Sequence, residues 1–261
     1  MKCYVCGEKC PSKAHLHAHA ANTGHFLAKT KICYELIVIT DGEENASKRF
    51  RGRERLKQLV RHPGLGDFNI TFVTPNPERA DTILPTDAKH VQVVELKAGA
   101  AGMKEAFGKV KKKMKTRITE TVVTELEVDG KLVKRERKTS TKLVEGAGTA
   151  RPWYCALFVI DTSGSMSGSL ITTAMKCVKN DLMSLLGEND FVGVVEFDST
   201  VRPDALTLQR KKKALRTGYF NRVPRCQNRT ALLDSIAMGI EQLTKLHASR
   251  KPAAKKHKHS K

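Results

Sequence analysis

Asp161, Ser163 and Ser165 stand at alternating positions where the apolar run FVI gives way to the Gly/Ser-rich stretch TSGSMSG. One carboxylate and two hydroxyls at such a junction offer hard oxygen ligands. Mg²⁺ and Mn²⁺ accept such ligands while keeping part of their water shell. Asp, Ser and Gly are also ordinary loop formers, so the triplet taken alone leaves a plain loop open. A second cluster lies near the start, where Cys3 and Cys6 are separated by two residues, with twelve more to His19 and a further five to His25. Two thiolates and two imidazoles at that spacing suit tetrahedral Zn²⁺. A segment this small has almost no core of its own without metal. Leu16 would supply the apolar contact on the ligand-bearing helix, Cys10 stands where an aromatic is usual, and His15 and His17 compete as ligands.

With its apolar strand and Asp-x-Ser-x-Ser, the run FVIDTSGSMSG resembles the von Willebrand factor A family, whose metal-ion-dependent adhesion site opens with this motif. The resemblance implies two further ligands, a Thr before a later helix and an Asp at the end of a fourth apolar strand. Thr230 opens TALLDSIAMGIEQL and Asp41 ends ELIVITD, so both have a counterpart. Their order departs from the family, because the Asp41 strand precedes Asp161 instead of following the Thr230 helix. The resemblance therefore implies a circularly permuted domain, with residues 31–115 as its C-terminal half and 152–247 as its N-terminal half. Permutation is tolerated where the old termini lie close and the new break falls in an exposed connection. The segment 1–28 resembles single C2H2-type zinc fingers with an HxxxTGHxxF-like end, although Phe26 follows directly on His25.

The chain has 261 residues, 40% hydrophobic, with a net charge of +20. That charge favours acidic partners: nucleic acid, an acidic protein face or an anionic membrane surface. No apolar run reaches the length of about 18 residues that a membrane span needs. The opening MKCYVCGEKC carries no apolar signal core, so an intracellular protein, nuclear or cytoplasmic, is expected. Seven Cys in such a chain point to reduced thiols and metal ligands. Cys33, Cys155 and Cys177 stand in apolar contexts and are expected in the core.

The elements that must position these residues read as a Rossmann-like α/β domain with a mostly parallel sheet and helices on both faces. Strands are expected at Lys31–Asp41, Phe68–Val73, Val91–Leu96, Phe191–Phe197 and Trp153–Asp161, the last buried on both sides. Arg202–Leu208 is expected as a short antiparallel edge strand. Helices are expected at Glu54–Arg61, Gly102–Met114 and Leu170–Leu186, from Lys211, and from Thr230 to about His247. Residues 116–150 break the alternation: two extended runs flank Asp129-Gly130, a strong hairpin signal, and EGAGTA then serves as a linker. The hairpin is either an RNA- or protein-docking arm or a connector with charged flanks that discourage edge pairing. Residues 248–261 form a Lys/His-rich tail, either a nucleic-acid patch or a solvated end.

No Ser, His and Asp stand together in a recognisable triad context, and GSMSGS lacks the phosphate-loop lysine, so no catalysis is expected. The resemblance implies that Asp161, Ser163, Ser165, Thr230 and Asp41 hold Mg²⁺ or Mn²⁺ for a partner protein's Asp or Glu. Cys3, Cys6, His19 and His25 would hold Zn²⁺. The alternative is an RNA- or ribosome-binding protein in which the finger, the hairpin (Arg135, Arg137) and the tail (Lys255, Lys256, Lys258) dominate and the metal loop is structural. Aromatic residues are only 5%, so base stacking contributes little to that alternative.

Overall fold

Runs such as ELIVI and CALFVI lack polar alternation, the pattern of parallel strands covered on both faces. In the computed structural model they lie side by side at the centre of a six-stranded sheet. The structure describes residues 9, 11, 12, 15, 32–41, 45–49, 53–61, 68–120, 125–128, 131–134 and 153–249. In chain order the strands are β1 (Ile32–Ile39), β2 (Phe68–Thr74), β3 (Val91–Glu95), β4 (Glu125–Val128), β5 (Lys131–Lys134), β6 (Trp153–Asp161), β7 (Phe191–Phe197) and β8 (Val201–Arg210). The helices are α1 (Arg53–Arg61), α2 (Ala80–Ile83), α3 (Gly99–Glu120), α4 (Ser169–Cys177), α5 (Lys211–Arg216) and α6 (Leu232–Ser249).

The large sheet has the order β3-β2-β1-β6-β7-β8, parallel except at the β7–β8 edge. Successive side chains on a strand point to opposite faces, and each face carries its own core. Ile37, Phe158 and Ile160 pack with Phe107 and Val110 of α3 and with Ile171 of α4. Leu36, Leu157 and Val159 pack with Leu56 of α1 and with Ile236 and Ile240 of α6. At Gly239 a Cβ would stand 2.7 Å from Leu36 Cδ1, so α6 seats on the sheet only because no side chain intervenes. Strands β1 and β6 are neighbours, and the chain leaves them in opposite directions, toward β2 and toward β7. Such a switch point opens a crevice at the C-terminal ends of the two strands, where open α/β sheets place their ligands.

The strands fall where the sequence puts them, and the differences lie in the helices and edges. Helix α3 runs Gly99–Glu120, well past the expected Met114, and takes Ile118–Glu120 from the expected hairpin. Its first turns are fixed by Met103, Ala106, Phe107 and Val110 in the core. The Lys-, Met- and Arg-rich stretch then adds one hydrogen bond per residue at little further cost. Within the expected hairpin, β4 and β5 pair antiparallel with Val128 opposite Lys131.

The single helix expected over Leu170–Leu186 is α4 followed by one wide π-type turn (Val178–Leu182) and a 3₁₀ turn (Met183–Leu185). A π turn aligns residues five apart, which keeps Val178 and Met183 on the same buried face. Strand β8 is antiparallel as expected but longer, with irregular register against β7 between Val192 and Glu196. Cys33, Cys155 and Cys177 are buried thiols. Among the described residues no helix is long and apolar enough to cross a membrane.

Candidate metal centre

Strand β6 ends on Asp161 and β1 ends two residues short of Asp41, so the shared register delivers both carboxylates to the same crevice. Asp161 is fully buried, with one oxygen accepting the Ser163 N–H at 2.7 Å and the other the Thr40 hydroxyl at 2.5 Å. The chain then turns through Gly164–Met166, with Met166 driven into the core as the anchor of the loop. Gly168, at φ 76°, turns the chain into α4 through a backbone region that a side chain disfavours. Ser163 Oγ and Ser165 Oγ are 3.1 Å apart, and Ser165 Oγ donates to Asp41 Oδ1 at 2.9 Å. Asp161, Ser163, Ser165 and Asp41 therefore form one continuous polar string, buried at Asp161 and open at Ser165.

Thr230 is tied by backbone bonds to the segment that follows Asp41. Asn45 and Ala46 both donate their N–H to Thr230 O at 3.1 Å, and Asn45 Oδ1 accepts the Thr230 N–H at 2.8 Å. Gln227 donates its N–H to Thr162 O, and Asn228, held at φ 65°, aims its carbonyl at the Gly164 N–H. Asn tolerates that left-handed conformation better than most residues. The segment after β1 also caps α6: Asp234 Oδ2 accepts the N–H of Lys48 and of Arg49, and Ser47 Oγ accepts the N–H of Asp234. The loops after β1, β6 and β7 and the start of α6 are one hydrogen-bonded unit.

The donors fit a hard divalent cation. They are oxygens throughout, two carboxylates among hydroxyls. Hydrogen bonds of 2.9 and 3.1 Å already bring Asp41 Oδ1, Ser165 Oγ and Ser163 Oγ side by side. Among the described residues no three His, Cys, Asp or Glu side chains converge anywhere, so coordination at this crevice needs the hydroxyls. Burial pushes the Asp161 carboxyl up to about 6, and the nearby Asp41 charge adds to the rise. Burial also raises Asp41, against the lowering effect of its Ser165 hydrogen bond.

The sign of the pH dependence follows. Stability tied to protonated Asp161 is fully present below its ordinary value near 3.8 and is lost as pH rises through about 6. A cation requires the carboxylate, so stabilisation by Mg²⁺ is expected to grow as pH rises through about 6 and then level off. Melting curves with and without Mg²⁺ between about pH 5 and about pH 8 check this. A pH-independent Mg²⁺ shift over that range would remove Asp161 from the ligand set.

Of the five residues expected at one site, Asp161, Ser163, Ser165 and Asp41 are linked by hydrogen bonds at the crevice, and Thr230 is tied through its backbone to Asn45 and Ala46. Cys3, Cys6, His19 and His25 lie outside the described residues, as do Arg135, Arg137, Lys255, Lys256 and Lys258. Sequence reasoning missed Thr40 and Asn45. Thr40 had a signal, a hydroxyl directly before the expected ligand Asp41, whereas Asn45 had none. Compared with family models, with curated proteins and with solved structures, the chain matches none.

Proposed function

We propose that this chain is a divalent-cation-dependent protein-interaction module of von Willebrand A type, circularly permuted, and not an enzyme. The observation that carries it is the linking of Asp41 and Asp161, from distant parts of the chain, through Ser165 and Ser163 at the switch point of the sheet. Asp161, Ser163, Ser165, Thr230 and Asp41 would hold Mg²⁺ or Mn²⁺. Bound there, the cation supplies an electrophilic position for a partner's Asp or Glu carboxylate. Hydroxyl ligands leave more of the positive charge uncompensated than an all-carboxylate cage would. Buried Asp161 fixes the floor of the site, while exposed Ser165 and half-buried Asp41 form its rim. The hydrogen bonds from Asn45 and Ala46 to Thr230 tie the position of that rim to α6.

In this proposal the segment 1–28 is a zinc finger on Cys3, Cys6, His19 and His25, and the protein works inside the cell, in nucleus or cytoplasm. The +20 charge favours a second attachment to nucleic acid, which would weaken steeply with salt. Pull-downs in Mg²⁺ and in EDTA, each with and without nuclease, test the proposal. Partners that survive nuclease and are lost in EDTA are expected. Partners lost only to nuclease would make the basic segments the working surface and the metal loop structural.

A further inference from the structure

Beside the metal loop lies a cleft of about 310 Å³ with Arg202, Arg222 and Arg225 on its walls and Glu196 at its base. Glu196, the last residue but one of the otherwise apolar run FVGVVEF, is buried and accepts the Tyr219 hydroxyl at 2.5 Å and the Arg222 guanidinium at 2.7 Å. Arg222 lies over the Tyr219 ring at 4.3 Å, so its guanidinium is held in place while its side chain stays half exposed. Arg202 pairs with buried Asp198 at 3.0 Å and approaches Glu196 at 3.5 Å. Arg225 is exposed and pairs with no carboxylate among the described residues. Three arginines thus stand against two carboxylates, Glu196 and Asp198, an excess of one positive charge.

The cleft and the metal loop share a residue. Arg202 donates to Thr162 Oγ1 at 2.6 Å, and Thr162 stands between Asp161 and Ser163. The opposite wall, at Gln227, donates to Thr162 O at 2.9 Å. On an extended chain alternate side chains stand about 7 Å apart on one face, so a chain with one carboxylate over the metal loop would carry its next acidic side chains toward the adjoining arginines. Fixed, partly desolvated arginines grip carboxylates with little further ordering cost. Val223, 52% exposed on the rim, adds an apolar contact. Base stacking has no platform here, because Tyr219 is buried and Arg222 covers its face.

We infer that the partner segment is an acidic peptide stretch with several carboxylates, one reaching the metal loop and the next held in the Arg202–Arg222–Arg225 cleft; this rests on the metal-dependent binding proposed above. A larger cleft of about 620 Å³ along β8 also contains Arg222 and continues the path for such a chain.

Fluorescence anisotropy with two labelled Gly/Ser peptides of about ten residues, one carrying a single Glu and one a run of Glu, tests it on the full chain. In Mg²⁺ the run of Glu is expected to bind about tenfold tighter than the single Glu, and Arg225→Glu is expected to remove that advantage. Lys89→Glu makes the same charge change at an exposed position just before β3, on the far edge of the sheet, and is expected to leave it intact. Equal losses from both variants, or no binding of the run of Glu to the parent chain, would overturn the cleft. EDTA separates the two proposals. An EDTA-sensitive peptide indifferent to Arg225→Glu overturns the cleft alone. Single-Glu binding unchanged by EDTA overturns the metal site and the two-point grip with it.

Discussion

Asp161→Asn is expected to abolish the rise in Tm that Mg²⁺ confers on the parent chain, while leaving the cation-free fold about as stable as before. Asp161 is fully buried, and its two oxygens accept the Thr40 hydroxyl and the Ser163 N–H. An ionised carboxylate in that setting is unfavourable, as the upward push of its pKa to about 6 by burial expresses. Asn keeps the shape and an acceptor and loses the charge, so the change in cation-free stability should stay within about 1 kcal/mol. A cation at a hundredfold excess over its Kd stabilises the folded state by about 2.7 kcal/mol, which corresponds to about 5–10 °C for a domain of this size. The variant should lose that whole increment, together with carboxylate-dependent partner capture. Melting both proteins with and without Mg²⁺ measures it; a full Mg²⁺ shift in the variant would exclude Asp161 as a ligand.

Phe158→Ala is expected to lower the stability of the fold by about 3–5 kcal/mol. Phe158 is fully buried on β6, paired with Ile37 of β1 on one side and Val194 of β7 on the other, beneath α3 and α4. Truncating the ring loses its transfer free energy and leaves a cavity that neighbours fixed on three strands cannot close. The urea midpoint should fall with little change in slope, because the surface exposed on unfolding stays nearly the same. A loss below about 1 kcal/mol would mean that β6 does not occupy the centre of the sheet.

The central strands were legible because strands covered on both faces read as unbroken apolar runs, as in LIVI and ALFVI. The two carboxylates of the crevice were legible for a related reason, since Asp161 and Asp41 are the first charged residues after those runs. What escaped depends on contacts between distant segments. The far end of α3 carries Thr116, Ile118 and Thr119, β-branched residues that suggest strand, yet the helix anchored by Phe107 and Val110 continues through them. The wide turn at Val178–Leu182 reflects which side chains reach the core and leaves no mark in local composition. The arginine cleft was signalled only by Glu196, a carboxylate inside an otherwise apolar strand. Arg202 and Arg222 are brought to it by β8 and by the loop before α6, and Asp198 by the turn after β7.

The central claim is that Asp41 and Asp161, from segments far apart in the chain, share one cation. Titrating Mn²⁺ into the full chain and reading the free-ion EPR signal tests it most directly. The parent should withdraw Mn²⁺ into a tight site that Mg²⁺ competes away, and Asp41→Asn and Asp161→Asn should each abolish that site while their cation-free melting curves stay close to the parent's. Tight Mn²⁺ binding that survives both substitutions would contradict the account.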